Sequence, residues 1–373
     1  DPIVLPADVL LEPVSRLSDE SRRRIECEDD DFAIARPRSR VATRVIDAHA
    51  AALLGRFRTA NTIVGAVIAQ AQEENADPEQ YLEAAIPLIE RMMVDGFLVA
   101  ADSPEAKAIV PTIAGGTRVG DVIVGACLQQ LADVEVYQSR TRDGAWTALK
   151  IARKDTPNTR AQLDREARIL RRLGAVVSPA LLQATDHEGR PFLLLEWCNG
   201  VDASRAADDL RDPRMGDRSR LLALCHTIAV AYTELHARGV VHSDVHPRNI
   251  LVDVDGRIRL IDFGISRELD DDARPPGRAG VAWYFEPEFA IARRADQAPP
   301  ASSPAGEQYS LAALLYELFT GDTYVEFSLD KPRAYLQIAE ALPLPFTRRG
   351  CEPWPDVEQV LARALAKDPA ERY

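Results

Sequence analysis

Two short segments hold the residues best suited to chemistry. The first is Val241-His242-Ser243-Asp244-Val245-His246-Pro247-Arg248-Asn249-Ile250-Leu251-Val252, and the second is Leu260-Ile261-Asp262-Phe263-Gly264. Asn249 follows Asp244 by five residues and Asp262 follows it by eighteen. Carboxylates and a carboxamide present hard oxygen donors, the ligands that Mg²⁺ takes. A reaction such a set could serve is phosphoryl transfer, which asks the protein mainly for positioning and for neutralised charge. An isolated aspartate is commonly only a turn or a cap, so the weight rests on the whole set and its spacing.

The two segments resemble the catalytic loop and the metal-binding Asp-Phe-Gly of protein kinases, and both spacings agree with that family. The resemblance implies ATP as donor and Mg²⁺ as cofactor. Asp262 would bind the metal through its carboxylate and Asn249 through its amide oxygen, while Asp244 would orient the acceptor hydroxyl and take its proton. Upstream, Ala148-Leu149-Lys150 resembles the strand whose lysine touches the α- and β-phosphates. Sixteen residues on, Glu166 in Arg165-Glu166-Ala167-Arg168-Ile169-Leu170 is similar to the helix-borne glutamate that pairs with that lysine. Singly, an exposed Lys or Glu is usually just solvated. Phe192 to Gly200 resembles the strand that runs into the hinge, which implies nucleotide contacts at Glu196 and Cys198, adenine being received by backbone groups. Cys198 is then a packing or hinge residue and not a nucleophile. Pro287-Glu288 resembles the end of the activation segment, Tyr309 to Gly321 the large C-lobe helix, and Asp368 to Arg372 the terminal element whose arginine meets Glu288.

Three departures bear on function. The expected phosphate loop, Gln129 to Val134, holds no glycine, so it cannot approach phosphates as a glycine loop does. Ser243 stands where an arginine usually reads an activation-loop phosphate, and between Gly264 and Pro287 the only hydroxyls are Ser266 and Tyr284. An enzyme that needs no loop phosphorylation is expected. The run Asp270-Asp271-Asp272 reads as a solvated loop, the alternative being an imitation of such a phosphate. His246 replaces the usual catalytic-loop lysine; it either contacts the transferring phosphate or is a packed, hydrogen-bonded loop residue. Glu307 replaces an aspartate on the large helix.

The elements that must position these residues follow from punctuation and period. Val122 to Leu128, Val134 to Ser139 and Ala145 to Ala152 are β-rich, with a turn at Asp143-Gly144, and a helix is expected from about Thr159 to Leu173. Strands at Leu181 to Thr185 and Phe192 to Glu196 flank a turn, and short strands are expected at Ile250 to Val252 and Ile258 to Leu260. Before these, residues from about 30 to 100 read as a strand, three helices behind Asp47, Asn61 and Asp77-Pro78-Glu79, and the short β-type run Phe97-Leu98-Val99. Helices followed by a small strand element form a winged-helix pattern. Pro111 to Gly120 breaks the periodicity and is the candidate linker. The fold class is thus α+β: a bilobal protein-kinase-like fold behind an N-terminal, mostly α winged-helix domain. The divisions are residues 1–106, a linker at 107–117, an N-lobe at 118–197 and a C-lobe at 198–373.

Composition excludes several partners. With 45 basic and 58 acidic residues the net charge is −13, which repels a phosphate backbone or an anionic membrane. The longest apolar runs fall far below the roughly 20 residues that cross a bilayer, and the N-terminus carries no basic-then-apolar signal; a cytoplasmic protein is expected. The cysteines, Cys27, Cys127, Cys198, Cys225 and Cys351, lie far apart and read as reduced thiols. The chain starts without Met and stops inside an apparent helix-and-turn, as a segment of a longer protein would.

Ala35-Arg36-Pro37-Arg38-Ser39-Arg40, Val45-Ile46-Asp47, Ala50 to Leu54, Phe57-Arg58 and Pro87 to Val99 resemble PqqD-like winged-helix domains, which bind the leader of a precursor peptide as an added strand beside a helix. The alternatives are a small helical cap without ligand and a DNA-type winged helix turned into scaffold. Joined to a non-regulatory kinase, such a domain resembles the kinase part of class III/IV-like lanthipeptide synthetases. The resemblance implies phosphorylation of Ser and Thr in a leader-bound precursor peptide, with a separate lyase for elimination and a cyclase that follows or stands apart. Two alternatives stay open: a kinase of ordinary proteins or of a small molecule, and a pseudokinase adaptor that binds peptide without transfer.

Overall fold

Short side-chain oxygens start many of the helices. The structure is a computed structural model that describes residues 1–17, 28–36, 43–103, 106–107, 110–131, 133–211, 217–271, 278, 280–328 and 331–373. Of the residues singled out above, Cys27, Pro37 to Arg40, Ala132 of the expected phosphate loop and Asp272 lie outside the described residues. Two compact units are present, residues 1–142 and 143–373.

The first unit opens with β1 (Ile3–Val4), β2 (Leu10–Pro13), β3 (Phe32–Ala35) and β4 (Arg44–Ile46). β2, β3 and β4 form an antiparallel sheet in that order. The helices α1 (Ala48–Gly55), α2 (Ile63–Glu74) and α3 (Pro78–Val94) follow, capped by Asp47, Thr62 and Asp77. Thr62, and not Asn61, caps α2: its Oγ1 accepts from Gly65 N at 3.0 Å, while Asn61 Oδ1 accepts from Thr62 N. A cap must be the last residue outside the helix with its oxygen over the first turn, and only Thr62 meets both conditions. β5 (Val99–Ala100) pairs with β1. Ile34, Leu54, Phe57, Ile89 and Phe97 close the core between sheet and helices, each such burial contributing about 1.5–3 kcal/mol. Arg36 reaches Asp8 at 2.9 Å and the Gly96 carbonyl at 3.4 Å, tying the end of β3 to the turn after α3.

The same unit continues with β6 (Arg118–Val119), β7 (Val122–Gln130) and β8 (Val134–Arg140), an antiparallel meander. Next to the glycine-free stretch, Leu131 N donates to the Val134 carbonyl at 2.9 Å and so closes the described ends of β7 and β8 on each other. The linker candidate is fastened to β8: Thr112 N donates to Glu135 Oε1 at 2.9 Å and Ile113 N to the Tyr137 hydroxyl at 3.1 Å.

The second unit begins with β9 (Trp146–Ala152), α4 (Pro157–Leu173), β10 (Leu181–His187) and β11 (Arg190–Glu196). β11 lies between β10 and β9, with Leu193 opposite Lys150. There follow β12 (Val201–Asp202), α5 (Ala203–Arg211), α6 (Arg218–Ala237), β13 (Val240–Val241), β14 (Ile250–Val252), β15 (Ile258–Leu260) and β16 (Arg267–Glu268). The remaining helices are α7 (Pro287–Arg294), α8 (Pro304–Thr320), α9 (Lys331–Glu340) and α10 (Pro355–Ala364). α6 and α8 carry the core, in which Ile228, Tyr232, Leu235, Tyr309, Leu314 and Phe346 are buried. The pairing of β14 with β15 matters most for chemistry. Its register, Ile250 opposite Leu260, continues to a bond from Ile261 N to Asn249 O at 2.9 Å, so the hairpin sets Asn249 beside the segment that leads into Asp262. Among the described residues no helix is long and apolar enough to cross a membrane.

Candidate active site

Lys150 leaves β9 between residues buried in the sheet, and its ammonium ends between two carboxylates. Nζ stands 2.6 Å from Glu166 Oε2 on α4 and 2.8 Å from Asp262 Oδ1. Lys150 and Glu166 are both buried. Burial alone would push the ammonium down, but the charges of Asp262 and Glu166 outweigh it and hold Lys150 well above the ordinary lysine range. Burial pushes the Glu166 carboxyl up, against the pull of Lys150. With two carboxylates on one ammonium, the lysine is held firmly as the cation.

Asp262 adopts a left-handed backbone, φ 67°, as does Ser243, φ 69°. Non-glycine residues in that region cost about 1–3 kcal/mol each and collect at functional sites. Here they frame the two segments singled out by sequence. Glu307 on α8 holds the first: its Oε1 accepts from Ser243 N at 2.7 Å and its Oε2 from His242 N at 3.1 Å. His236 Nε2 adds a third contact to Oε2 at 2.7 Å. His242 is fully buried, its Nε2 is 3.0 Å from the Ile261 carbonyl, and its ring lies against Phe263. The two segments are thereby joined to each other and to α8.

Asn249 gives both of its amide hydrogens to Asp244, at 3.0 Å to the backbone carbonyl and 3.0 Å to Oδ2. Its Oδ1 accepts no hydrogen bond from a described residue, which leaves a carboxamide oxygen for a cation. That arrangement fits Mg²⁺, which is usually held by one or two side-chain oxygens together with the oxygens of its substrate. Among the described residues no cluster of three His, Cys, Asp or Glu forms a site for a metal independent of substrate.

His246 is a packed residue. Its Nδ1 accepts from Arg248 N at 3.2 Å and its ring meets Tyr284 edge-on, centroids 5.6 Å apart. Burial, with the Arg248 charge second, holds the imidazole down to about 4. At the end of β11, Glu196 Oε2 accepts from Ala180 N at 3.0 Å. The Cys198 thiol, pushed up to about 11 by burial, is protonated at neutral pH, in keeping with a packing role.

Several contributors were not legible as site residues. Gly280 has φ 131°, and a Cβ there would stand 2.9 Å from Asp244 Oδ1, so a side chain would press on the carboxylate. Arg278 forms a bidentate pair with Glu286, both contacts 2.7 Å, and lies over the rings of Phe285 and Phe289. Ser243 Oγ is 2.6 Å from Ser302 Oγ. No local pattern announces these contacts, because each joins segments far apart or depends on φ. The two hydroxyls of the segment are both buried: Ser266 Oγ donates to the His242 carbonyl at 2.8 Å, and Tyr284 donates to Glu317. The acids that read as a solvated loop are paired, Asp270 with Arg172 and Asp271 with Arg168.

A family model described as the protein kinase domain matches residues 133–373. Serine/threonine-protein kinase PknB of Mycolicibacterium smegmatis is 28% identical over 239 residues, 61% of this chain and 36% of that protein. A probable serine/threonine-protein kinase of Streptomyces coelicolor is 28% identical over 268 residues, 67% and 37% respectively. Serine/threonine-protein kinase AtPK2/AtPK19 of Arabidopsis thaliana is 28% identical over 226 residues, 59% of this chain and 45% of that protein. The matches thus span well under half to nearly half the length of these relatives.

Proposed function

The chain belongs to the protein kinase family, and from that premise we propose that it transfers the γ-phosphoryl group of ATP to Ser or Thr hydroxyls of a ribosomally made precursor peptide. The observation that carries the transfer is the Lys150 ammonium held between Glu166 and Asp262, with Asn249 clasping Asp244. In this reading Lys150 contacts the α- and β-phosphates and Glu166 fixes the lysine. Asp244 accepts the acceptor hydroxyl's proton as its oxygen attacks the γ-phosphorus, and the β–γ bridging oxygen leaves with ADP. Asn249 and Asp262 would hold Mg²⁺, which supplies charge neutralisation at the phosphate oxygens. Backbone groups between Glu196 and Cys198 would receive adenine.

The peptide substrate rests on the first unit, read as a PqqD-like winged-helix domain. Two features support it. The β2–β3–β4 sheet has outer edges at β2 and β4 where a strand could add. On α3, Ile86 and Met93 lie two turns apart on one face and are exposed, with Val94 beside them. Such a stripe is exposed apolar surface of the kind a bound peptide covers. Elimination would need a separate lyase and ring closure a cyclase.

The test is transfer from labelled ATP with Mg²⁺ to a candidate precursor peptide, with and without its leader, read by mass spectrometry. Leader-dependent phosphate on Ser or Thr, abolished by Asp244→Asn, is the expected result. Transfer to ordinary proteins with no preference for the leader would place the substrate elsewhere. The glycine-free stretch at residues 129–134 favours a second reading, an adaptor that binds peptide without turnover. Tight leader binding with no transfer would establish it.

A further inference from the structure

Beside Glu166, α4 carries a stripe that the chemistry above does not use. Arg165, Arg168 and Arg172 stand at intervals of three and four, so they share one face of the helix. All three reach the segment that follows Asp262. Arg165 Nη1 donates to the Gly264 carbonyl at 2.8 Å. Arg168 Nη2 lies 2.9 Å from Glu268 and 3.3 Å from Asp271. Arg172 grips Asp270 with two nitrogens, at 2.5 and 2.9 Å, and also donates from Nε to the Arg238 carbonyl at 2.6 Å.

The acids themselves are held in place. Glu268 belongs to β16, which pairs with β13, and Leu269 N donates to the Gly239 carbonyl at 2.8 Å. Gly239, φ 72°, leaves the room: a Cβ there would stand 2.8 Å from Arg172 Nη2. A basic helix face therefore meets a fixed acidic strand end, and the pairing sets how deeply α4 sits and where Glu166 points. Meanwhile both hydroxyls on the segment are buried and bonded, and Ser243 offers no cation to an added phosphate.

We propose that Arg165, Arg168 and Arg172 are positioning residues for the transfer, and that Glu268, Asp270 and Asp271 form a built-in anion that holds α4 in the Glu166–Lys150 paired state without phosphorylation. The inference rests on the phosphotransferase reading. A helix that can sit in or out needs only a modest differential interaction to be shifted tenfold in population. Bidentate arginine–carboxylate contacts joined in a network can supply it, where an isolated surface pair could not.

The experiment uses the full chain, with initial rates measured on dephosphorylated casein and by acceptor-free ATP hydrolysis, over a range of Mg·ATP. Arg172→Asp and Asp270→Arg are each expected to lower kcat/KM for Mg·ATP roughly tenfold, and the double variant to recover to within about threefold of wild type. A merely structural arginine would not be rescued by exchanging the charges. Arg168→Gln, at a half-exposed pair, guards against misfolding; it should lower the rate severalfold with an unchanged melting temperature, and phosphatase treatment of wild type should change nothing. Wild-type rates in all the single variants, loss without rescue in the double variant, or inactivation by phosphatase would overturn the proposal. Lys150→Met separates the two levels: a rate indifferent to that change removes the phosphotransferase reading itself, whereas a Lys150-dependent rate indifferent to the arginines removes only the positioning proposal.

Discussion

Gly280 and His246 show how much one residue decides beside Asp244. At Gly280 an alanine would need both an unfavourable left-handed φ and the space of the Asp244 carboxylate. Gly280→Ala should therefore lower kcat at least tenfold while the melting temperature falls by only a few degrees; a variant with normal kcat would mean that the carboxylate can move aside freely. His246 makes a pH prediction. Its folded value is about 4 and its unfolded value about 6.5. Between these the unfolded chain binds more protons, so stability is full above pH 6.5 and is lost as the pH falls toward 4. At pH 5 the loss is at most about 2 kcal/mol. His246→Asn keeps an acceptor for Arg248 N and removes the titration, so denaturant melts at pH 7 and 5 should show a smaller drop for the variant than for wild type. Equal drops would refute the burial argument. A neutral ring also differs from the permanently charged lysine that the family usually places there.

At the scale of elements, one buried side chain ties the turn at residues 366–372 to α7 and α8. Arg372, fully buried, makes a two-nitrogen contact with Glu288 at 3.0 and 2.8 Å, donates to the carbonyls of Ala305 and Ala366, and lies over the Tyr309 ring. Arg372→Ala strands these acceptors, and about 3 kcal/mol of stability should be lost, seen as a lower denaturant midpoint with unchanged slope. Arg372→Lys should recover little, because one ammonium cannot reproduce the planar fork. That contact and the pairing of Lys150 with Glu166 were expected from the resemblance to protein kinases, while the strands Ile250–Val252 and Ile258–Leu260 were legible as short apolar β-type runs. The small strands β1, β2 and β4 were not. At two to four residues they are too short for alternation to register, and they exist because partners distant in sequence supply the other half of each ladder. The role of the arginines of α4 was not read from the sequence, because their partners lie about a hundred residues on and nothing local reveals which acids a helix will meet.

For the molecule taken whole, the net charge of −13 opposes the approach of a nucleotide, while the groups proposed to receive it include a buried ammonium. Salt screens the first over about 8–10 Å and leaves the second nearly untouched. Moderate salt should therefore not weaken Mg·ATP binding, unlike binding that depends on surface arginines and lysines. Binding to the folded state alone stabilises it by about 2.7 kcal/mol at a hundredfold excess over Kd. Calorimetry reads that stabilisation as a rise of the kinase melting transition. Mg·ATP should raise that transition by roughly 5–10 °C, EDTA should remove most of the rise, and Asp262→Asn should do the same with the metal present. Asp244→Asn should keep the rise although it abolishes transfer, since Asp244 is assigned to the acceptor and not to the metal. A rise that is equal with and without Mg²⁺, or one that Asp262→Asn leaves intact, would mean that Asp262 serves only to hold Lys150, and the metal would then have to be sought through Asn249 and the nucleotide's own phosphates.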